Sequence, residues 1–141
     1  MLALALCVLA LPVALRAQQR PGWVIEALNE NGWVEFNFQT GQGRGTNGVV
    51  VRYGDAFLTA DEVGVDQQSG EVVADGNVHV QSQEQIWAGE HIRYNFKTRM
   101  IEAEQFRTGK SPVFAEGEGL HGDFTNQVYF ATNGVVTTDD V

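Results

Sequence analysis

Carboxylates are the first side chains in this sequence that could do chemistry. The acids Asp61, Glu90 and Glu118 each follow a small residue and recur at steps of 29 and 28 residues. Paired carboxylates can act as general acid and base. An acid that recurs at a fixed repeat position is more often structural, however, and no Ser-His-Asp ordering accompanies these three. We therefore expect them to bond the backbone at a bend, and we do not expect an enzyme.

Histidines and tryptophans are the next candidates. His79, His91 and His121 fall at different repeat positions, without HxxxH spacing and without a neighbouring cysteine. A metal site needs ligands that converge, so neither a metal nor any other cofactor is predicted. The three tryptophans could stack on sugars, but Trp87 aligns with Leu58 in the repeat. Packing in a core or at its rim is a sufficient interpretation.

A glycine-rich stretch, "GRGTNG" from Gly43 to Gly48, matches the pattern G-x-G-x-x-G. That dinucleotide fingerprint requires a preceding strand and a following helix. Here the glycines continue into "VVVRY", which has the composition of a strand. The stretch is therefore predicted to be a flexible hairpin and not a phosphate-binding loop.

The elements that must position these residues repeat along the chain. A turn residue recurs as Asn37, Asp66, Asn95 and Asp123, at steps of 29, 29 and 28 residues. Each unit reads strand–turn–strand–turn, and the first turn has the form Asx-x-x-[Ser/Thr]-[Gly/Arg], as in "DQQSG" and "NFKTR". Such a side chain can bond its own backbone two residues on. Since short loops join antiparallel neighbours, the sequence predicts an all-β meander of repeated antiparallel hairpins.

An irregular step in the apolar pattern predicts a bend in every unit. Leu58 and Ala60 share one face, and so do Val63 and Val65, but the step from Ala60 to Val63 is odd. In a flat strand an odd step moves the side chain to the opposite face. The same step recurs twice: Gly89 to Ile92, and Gly117 to Leu120. A bulge beside the small residue would return both halves to one face, which predicts a sheet folded into a V.

The N-terminus predicts export. Its first fifteen residues carry no charge, are too few to span a bilayer well, and precede the polar stretch "RAQQRPGW". We interpret residues 1–17 as a signal peptide cleaved after Ala17. Because no Lys or Arg precedes the apolar run, retention as a short anchor is the alternative. Residues 18–32 are then an N-terminal lead-in, and residues 33–141 form one β domain of about four repeats, each 28–29 residues long.

The charge excludes some partners. The chain of 141 residues has a formal net charge of −9. Without residues 1–17 it loses Arg16, which leaves 8 Lys and Arg against 18 Asp and Glu, a net charge of −10. No basic stripe is available to neutralise phosphates, so nucleic acid is not expected as a partner. A bare anionic membrane surface is disfavoured for the same reason. The only cysteine, Cys7, lies in the predicted signal peptide.

Two stretches, "LTADEVGVDQQSGEVVADGNVHVQ" and "IWAGEHIRYNFKTRMIEAEQF", resemble the OstA-like family. This family comprises the periplasmic lipopolysaccharide-transport proteins of the LptA type and the N-terminal domain of LptD. The resemblance covers roughly residues 33–141, with Gly122 standing where earlier copies have Val65 and Tyr94. It implies a V-shaped β-jelly roll, also called a β-taco, with an open apolar interior that holds acyl chains and helps to bridge the two membranes of the envelope.

The resemblance also implies a periplasmic location and a set of partners. These are lipopolysaccharide or a similar amphiphile, an inner-membrane lipid-extraction complex, an outer-membrane LptD-type translocon, and further copies joined head to tail through edge strands. An LptC-like anchored protein is the variant if residues 1–17 are retained. A self-assembling structural β-roll is the alternative function. The residues predicted to line the interior groove are Val63, Val65, Val72, Val78, Val80, Ile86, Ile92, Tyr94, Ile101, Phe106, Leu120 and Phe124.

Overall fold

The structure, a computed structural model, describes residues 22–110 and 113–138. The predicted signal peptide and Cys7 lie outside these residues. All regular structure within them is β-strand, and every pairing is antiparallel, as predicted. None of the described segments forms a helix long and apolar enough to cross a membrane. The strands are β1 (Trp23–Ala27), β2 (Trp33–Asn37), β3 (Gln42–Thr46), β4 (Val49–Tyr53), β5 (Ala56–Ala60), β6 (Glu62–Asp66), β7 (Glu71–Ser82), β8 (Gln85–Asn95), β9 (Met100–Lys110), β10 (Val113–Asp123), β11 (Val128–Thr132) and β12 (Val135–Thr137).

The twelve strands belong to a meander of eight bent ones. β1 continues into β2, β3 into β4, β5 into β6, and β11 into β12, while β7 to β10 run unbroken through the bend. Each bent strand pairs with the next one along the chain. For example, β7 pairs with β5 through one half and with β6 through the other. The sheet already includes β1, which lies inside the predicted lead-in of residues 18–32.

The bend divides the sheet into two leaves. The first leaf contains β1, β4, β5, β12 and residues 78–82, 85–89, 106–110 and 113–117 of the long strands. The second leaf contains β2, β3, β6, β11 and residues 71–75, 91–95, 100–104 and 119–123. We call the line between the leaves the crease and the opposite, turn-lined side the mouth. The sheet has a free edge at β1 and β2 and another at β11 and β12.

Backbone pairing continues across the crease. The Leu28 N–H donates to the Gly48 carbonyl oxygen at 3.0 Å, and the Gly48 N–H donates to that of Asp61 at 3.0 Å. The Asp61 N–H in turn donates to the Gly76 carbonyl oxygen at 2.9 Å. In β7 the bend is a β-bulge between Asp75 and Val78, where Gly76 and Asn77 have φ of 76° and 47°. The predicted odd steps, at Ala60 to Val63, Gly89 to Ile92 and Gly117 to Leu120, also span the crease. The bulge, however, lies in β7, where the step from Ala74 to Val78 is even, and not at the odd steps as predicted.

The recurring acids lie on the crease, and two of them bond differently from the prediction. Asp61 Oδ2 accepts from the side-chain amide of Asn77 at 3.0 Å. Glu118 Oε2 accepts from that of Asn133 at 2.7 Å. Both asparagines have positive φ, a conformation that Asn tolerates better than most residues. These two acids thus hold an asparagine side chain of the adjacent strand and not, as predicted, the backbone.

The glycine-rich stretch has a structural position that differs from the predicted hairpin. Gly43 and Gly45 lie in β3, and Asn47 and Gly48 form the crease between β3 and β4. β3 and β4 pair with other strands and not with each other. The stretch is therefore one bent strand, and no helix follows it.

The turns at the mouth end of the second leaf have the predicted chemistry. In each repeat the side-chain oxygen of Asn37, Asp66, Asn95 or Asp123 accepts from the backbone N–H groups two and three residues on, at 2.8–3.2 Å. The aspartate or asparagine therefore satisfies backbone donors that no strand partner reaches. Hydrogen bonds from Thr125 and Asn126 hold the pKa of Asp123 below its usual value.

The bulge in β7 can be tested with a single methyl group. A Cβ at Gly76 would lie 2.5 Å from Asp61 Oδ2. The backbone of Gly76 also has a positive φ of 76°, which disfavours any residue with a Cβ. We expect Gly76→Ala to lower the free energy of unfolding by roughly 1–2 kcal/mol or more, since the left-handed conformation alone costs about that much. Urea denaturation followed by circular dichroism measures the change.

Gly64→Ala is the matched control, because nothing lies within 4 Å of a Cβ at Gly64 and its φ is not positive. This control should be as stable as the wild type or slightly more stable, since alanine loses less backbone entropy on folding than glycine. Equal stability of the Gly76→Ala and Gly64→Ala chains would contradict a structural requirement at the crease.

Candidate functional site

The apolar interior between the two leaves is the candidate site. Of the twelve residues predicted to line it, eleven lie there and are at most 6% exposed: Val63, Val65, Val72, Val78, Val80, Ile92, Tyr94, Ile101, Phe106, Leu120 and Phe124. Ile86 is the exception, with 47% of its surface exposed on the outer face. Trp87 takes the inward place instead, because successive side chains of a strand point to opposite faces.

Small and large side chains alternate from strand to strand beside the crease. Next to the crease the second leaf carries one small residue per repeat: Gly45, Ala74, Ala103 and Ala131. Towards the mouth it carries Tyr94 and Phe96, which are both buried. Each of the small residues is paired with larger ones on the neighbouring strands, so small and large side chains interdigitate beside the crease. The larger partners are Val63, Ile92 and Leu120.

The fourth repeat shows why Gly122 replaces a large residue. A Cβ at Gly122 would lie within 3 Å of the Tyr129 ring, which occupies that space. Tyr129 belongs to the edge strand β11 and is paired with Gly122 in register. The tyrosine thus fills the interior in place of the Val65 and Tyr94 side chains of earlier repeats.

Aromatic rings close the mouth. Trp87 of the first leaf lies 4.7 Å from Tyr129 and 5.6 Å from Phe124, both carried by the second leaf and the turn that follows it. Further along the mouth, Phe96 lies 5.3 Å from Trp23 of the first leaf. These ring contacts bring the two leaves together and exclude water from the interior beneath them.

Polar side chains cross the mouth as well. Arg99 Nη2 donates to Ser82 Oγ at 2.8 Å, which joins a turn of the second leaf to the end of β7 in the first. Tyr94 belongs to the same cluster, since Ser82 and Arg99 both lower the pKa of its hydroxyl against the effect of burial. The Tyr129 hydroxyl donates to Gln85 Oε1 at 2.8 Å. We call these contacts the mouth latch.

The interior differs in one respect from the open groove expected from the sequence. Side chains of the two leaves fill it over the middle of the sheet, and the mouth latch holds them together. At the β12 edge the inner face reaches the surface, where Val136 is 72% exposed. An apolar trough left empty in water would be costly, which explains why the chain fills its own interior.

The outer face carries charged pairs and the three histidines. His91 Nδ1 lies 2.5 Å from Asp75 Oδ1, and His121 Nδ1 lies 3.5 Å from Glu102 Oε1. All of these side chains are at least 39% exposed. Within residues 22–110 and 113–138, no group of three His, Cys, Asp or Glu side chains is placed to hold a metal ion.

Several residues of the site were not predicted. Trp87 was predicted to pack in a core or at its rim, because it aligns with the inward residue Leu58, but it was not placed among the groove residues. Phe96 and Tyr129 could have been found from the repeat. Phe96 takes the repeat position of Phe124, and Tyr129 takes that of Val72 and Ile101, which were all predicted to line the interior. The mouth latch has no sequence signal, because its partners lie at strand ends and in turns that meet only when the sheet bends. Ser82 ends β7, Gln85 begins β8, and Arg99 lies in the turn after β8.

The fold and its interior define a class: a β-jelly roll made of one creased antiparallel sheet around an apolar trough. No family model matches the chain, and no curated protein matches it. Among solved structures the chain is similar to LptH, the LptA-homologous periplasmic component of the lipopolysaccharide transport device of Pseudomonas aeruginosa. The TM-score is 0.66 at 19% identity, over 78% of this chain and 81% of LptH. The predicted resemblance to the LptA type is therefore confirmed in its fold.

The latch generates a prediction about alkaline pH. Burial raises the pKa of Tyr94 above its ordinary value of 10.0, although hydrogen bonds with Ser82 and Arg99 oppose the shift. The folded chain therefore holds this proton more tightly than the unfolded chain. The stability that this contributes is complete below pH 10 and is lost as the pH rises through the folded-state pKa.

We expect the wild type to lose stability more steeply than Tyr94→Phe above about pH 10, since phenylalanine has no proton to lose. Urea denaturation of both chains between about pH 8 and pH 11 tests this. Below pH 9 the variant should be less stable by about 1 kcal/mol, the usual value of one hydrogen bond. Parallel stability curves over the whole range would contradict the buried position of the Tyr94 hydroxyl.

Proposed function

We propose that this protein is a periplasmic lipopolysaccharide-binding transport protein that shields acyl chains between its two leaves. The observation that carries the proposal is the continuous apolar interior of a fold shared with LptH, the periplasmic transport component described above. The role is that of a carrier and needs no catalytic group. Energy for movement of the lipid comes from elsewhere, and the chain passes the lipid on by exchange.

Acyl chains can open the mouth on energetic grounds. Each buried CH₂ group gains about 0.8 kcal/mol, so a chain of a dozen carbons gains roughly 10 kcal/mol. The hydrogen bonds of the mouth latch, Arg99 to Ser82 and Tyr129 to Gln85, are worth about 1 kcal/mol each. The remaining cost is the displacement of Phe124 and Tyr129, whose apolar contacts the acyl chain replaces.

The charge of the chain directs which part of the lipid enters. With a formal net charge of −9, the protein repels an anionic headgroup. Binding then depends on the acyl chains in the interior, while the headgroup stays in solvent outside the mouth. An interior without a buried charge fits this division, since Ser82 is the single buried polar residue among the described residues.

The free edges support the proposed partners. Eight of the ten large apolar residues that are exposed lie on or beside the edge strands: Val24, Leu28, Trp33, Phe38, Val128, Phe130, Val135 and Val136. Edge strands present unpaired backbone groups, and an added strand can pair with them. We propose that the edges join further copies head to tail and contact the inner-membrane extraction complex and the outer-membrane LptD-type translocon.

A structural β-roll that polymerises in the envelope is the second candidate function. The closed interior favours it, because a scaffold needs no opening between the leaves. In that case the edges would associate and the interior would bind no lipid. An anchored, LptC-like role is a variant of the first function and depends on residues 1–17, which lie outside the described residues.

Photo-crosslinking distinguishes the carrier from the scaffold. Tyr129 and Phe130 are neighbours in β11, but Tyr129 faces the interior and Phe130 is 68% exposed on the outer face. We expect benzoylphenylalanine at position 129 to capture labelled lipopolysaccharide, because an acyl chain that enters the mouth must touch this position. The substitution Phe130→benzoylphenylalanine is the matched control and should capture little. Equal capture at both positions would place the lipid on the outer face, and none at either would favour the scaffold.

Edge-to-edge association makes a separate prediction. Val136 lies in β12 at one free edge, whereas Ile86 lies on the outer face of β8, between paired strands. We expect sedimentation to show concentration-dependent association of the wild type, which Val136→Asp weakens at least tenfold because a carboxylate at the joint must be desolvated. Ile86→Asp should leave association unchanged. An effect of equal size from both variants would assign the contact to the outer face instead.

A further inference from the structure

One polar atom in the apolar interior has no partner. The Nε1 of Trp87 is buried and makes no hydrogen bond within the described residues, and the residue as a whole is 1% exposed. Buried N–H groups in proteins are almost always satisfied, because an unpaired donor has lost water without gaining a protein acceptor. Each exception requires an explanation.

The surroundings of Trp87 leave the indole N–H without an acceptor. Its ring is enclosed by Phe106 at 6.0 Å, Phe124 at 5.6 Å and Tyr129 at 4.7 Å. The Tyr129 hydroxyl donates to Gln85, and the hydroxyl of the cross-strand neighbour Thr108 donates to the Ile86 carbonyl oxygen. These side chains leave a donor within an otherwise apolar space.

The position of this donor coincides with the proposed route of entry. Trp87 is the third residue of β8, so it lies close to the mouth end of the first leaf. It contacts Tyr129, whose hydroxyl is part of the mouth latch. A ligand that displaces Tyr129 and Phe124 therefore meets the indole edge before it reaches the small residues at the crease.

We propose that the Trp87 N–H is the polar contact of the lipid site and donates to the carbonyl oxygen of an acyl chain. This inference rests on the proposed carrier function and adds to it a recognised group, the ester or amide carbonyl where the acyl chain joins the headgroup. The donor is unsatisfied in the closed chain and satisfied in the loaded one, so it favours acyl ligands over plain alkyl chains. Trp87 is in this sense a specificity-determining residue.

A pair of lysolipids tests the contact directly. Lysophosphatidylcholine with an acyl ester and its alkyl ether analogue share headgroup and chain length and differ in the carbonyl. By calorimetric titration of the full chain, below the micelle concentration, we expect the ester to bind about tenfold more tightly, equivalent to about 1.4 kcal/mol. Trp87→Phe keeps an aromatic ring without the donor and should bind both lipids with the affinity of the ether.

Trp23→Phe is the matched control, since Trp23 also lines the mouth, against Tyr53 and Phe96, but its Nε1 is not a buried unpaired donor. It should keep the tenfold preference. An NMR measurement on the wild type makes the test independent of whether Trp87→Phe folds. Of the three indole N–H resonances, that of Trp87 should move downfield with the ester and not with the ether, with Trp23→Phe and Trp33→Phe assigning it by elimination.

The outcomes separate this inference from the function on which it rests. If the wild type binds ester and ether equally, or if Trp87→Phe keeps the preference, the contact is wrong and the carrier function stands. If the wild type binds neither lysolipid nor lipopolysaccharide, the carrier function fails and this inference fails with it. A preference for the ester that is lost in Trp87→Phe and kept in Trp23→Phe supports both the proposed contact and the carrier function.

Discussion

The fold depends on one geometric constraint: a strand that changes direction must keep its apolar side chains on the same face. A flat strand cannot do this over an odd step, because its side chains alternate with a period of two. The odd steps are taken at the crease, as at Asp61 between β5 and β6, while β7, whose step from Ala74 to Val78 is even, has a bulge at Gly76. The backbone hydrogen bonds that link Gly48, Asp61 and Gly76 keep neighbouring strands in step, so the bends align into one crease.

The arrangement of the interior follows from that crease. Small and large residues alternate from strand to strand beside it, as Ala74 and Ala103 do on either side of Ile92, so the side chains of the interior interdigitate. The same rule explains an irregularity, since Gly122 is small where its counterparts are large only because Tyr129 fills the place. A side chain from the edge strand then reaches across to Gln85 and joins the leaves at the mouth.

Most of the fold could be predicted because its determinants are local and repeated. The turn at Asp66 is specified by its own side chain, and the bend at Ala60 by the parity of the apolar residues around it. Ile86 was wrongly predicted to face the interior, although the repeat contained the information needed. Trp87, and not Ile86, occupies the same repeat position as Leu58. The latch between Ser82 and Arg99 could not be predicted, because its residues are 17 apart in sequence and meet only through the bend. The hydrogen bond between the side chains of Asp61 and Asn77 could not be predicted either, because it depends on the positive φ of Asn77.

A closed interior is compatible with lipid binding for the same physical reason that closes it. Apolar surface avoids water whether the covering group is Phe124 or an acyl chain, so the protein side chains and the ligand compete for one space. A ligand shifts such an equilibrium only by its difference in affinity for the open and closed states. The aromatic residues at the mouth lower the apparent affinity, since their contacts must be replaced, and they also prevent an empty trough from aggregating. In the proposed carrier, this competition assists release as well as binding, because the side chains reclose over the apolar surface that the lipid leaves.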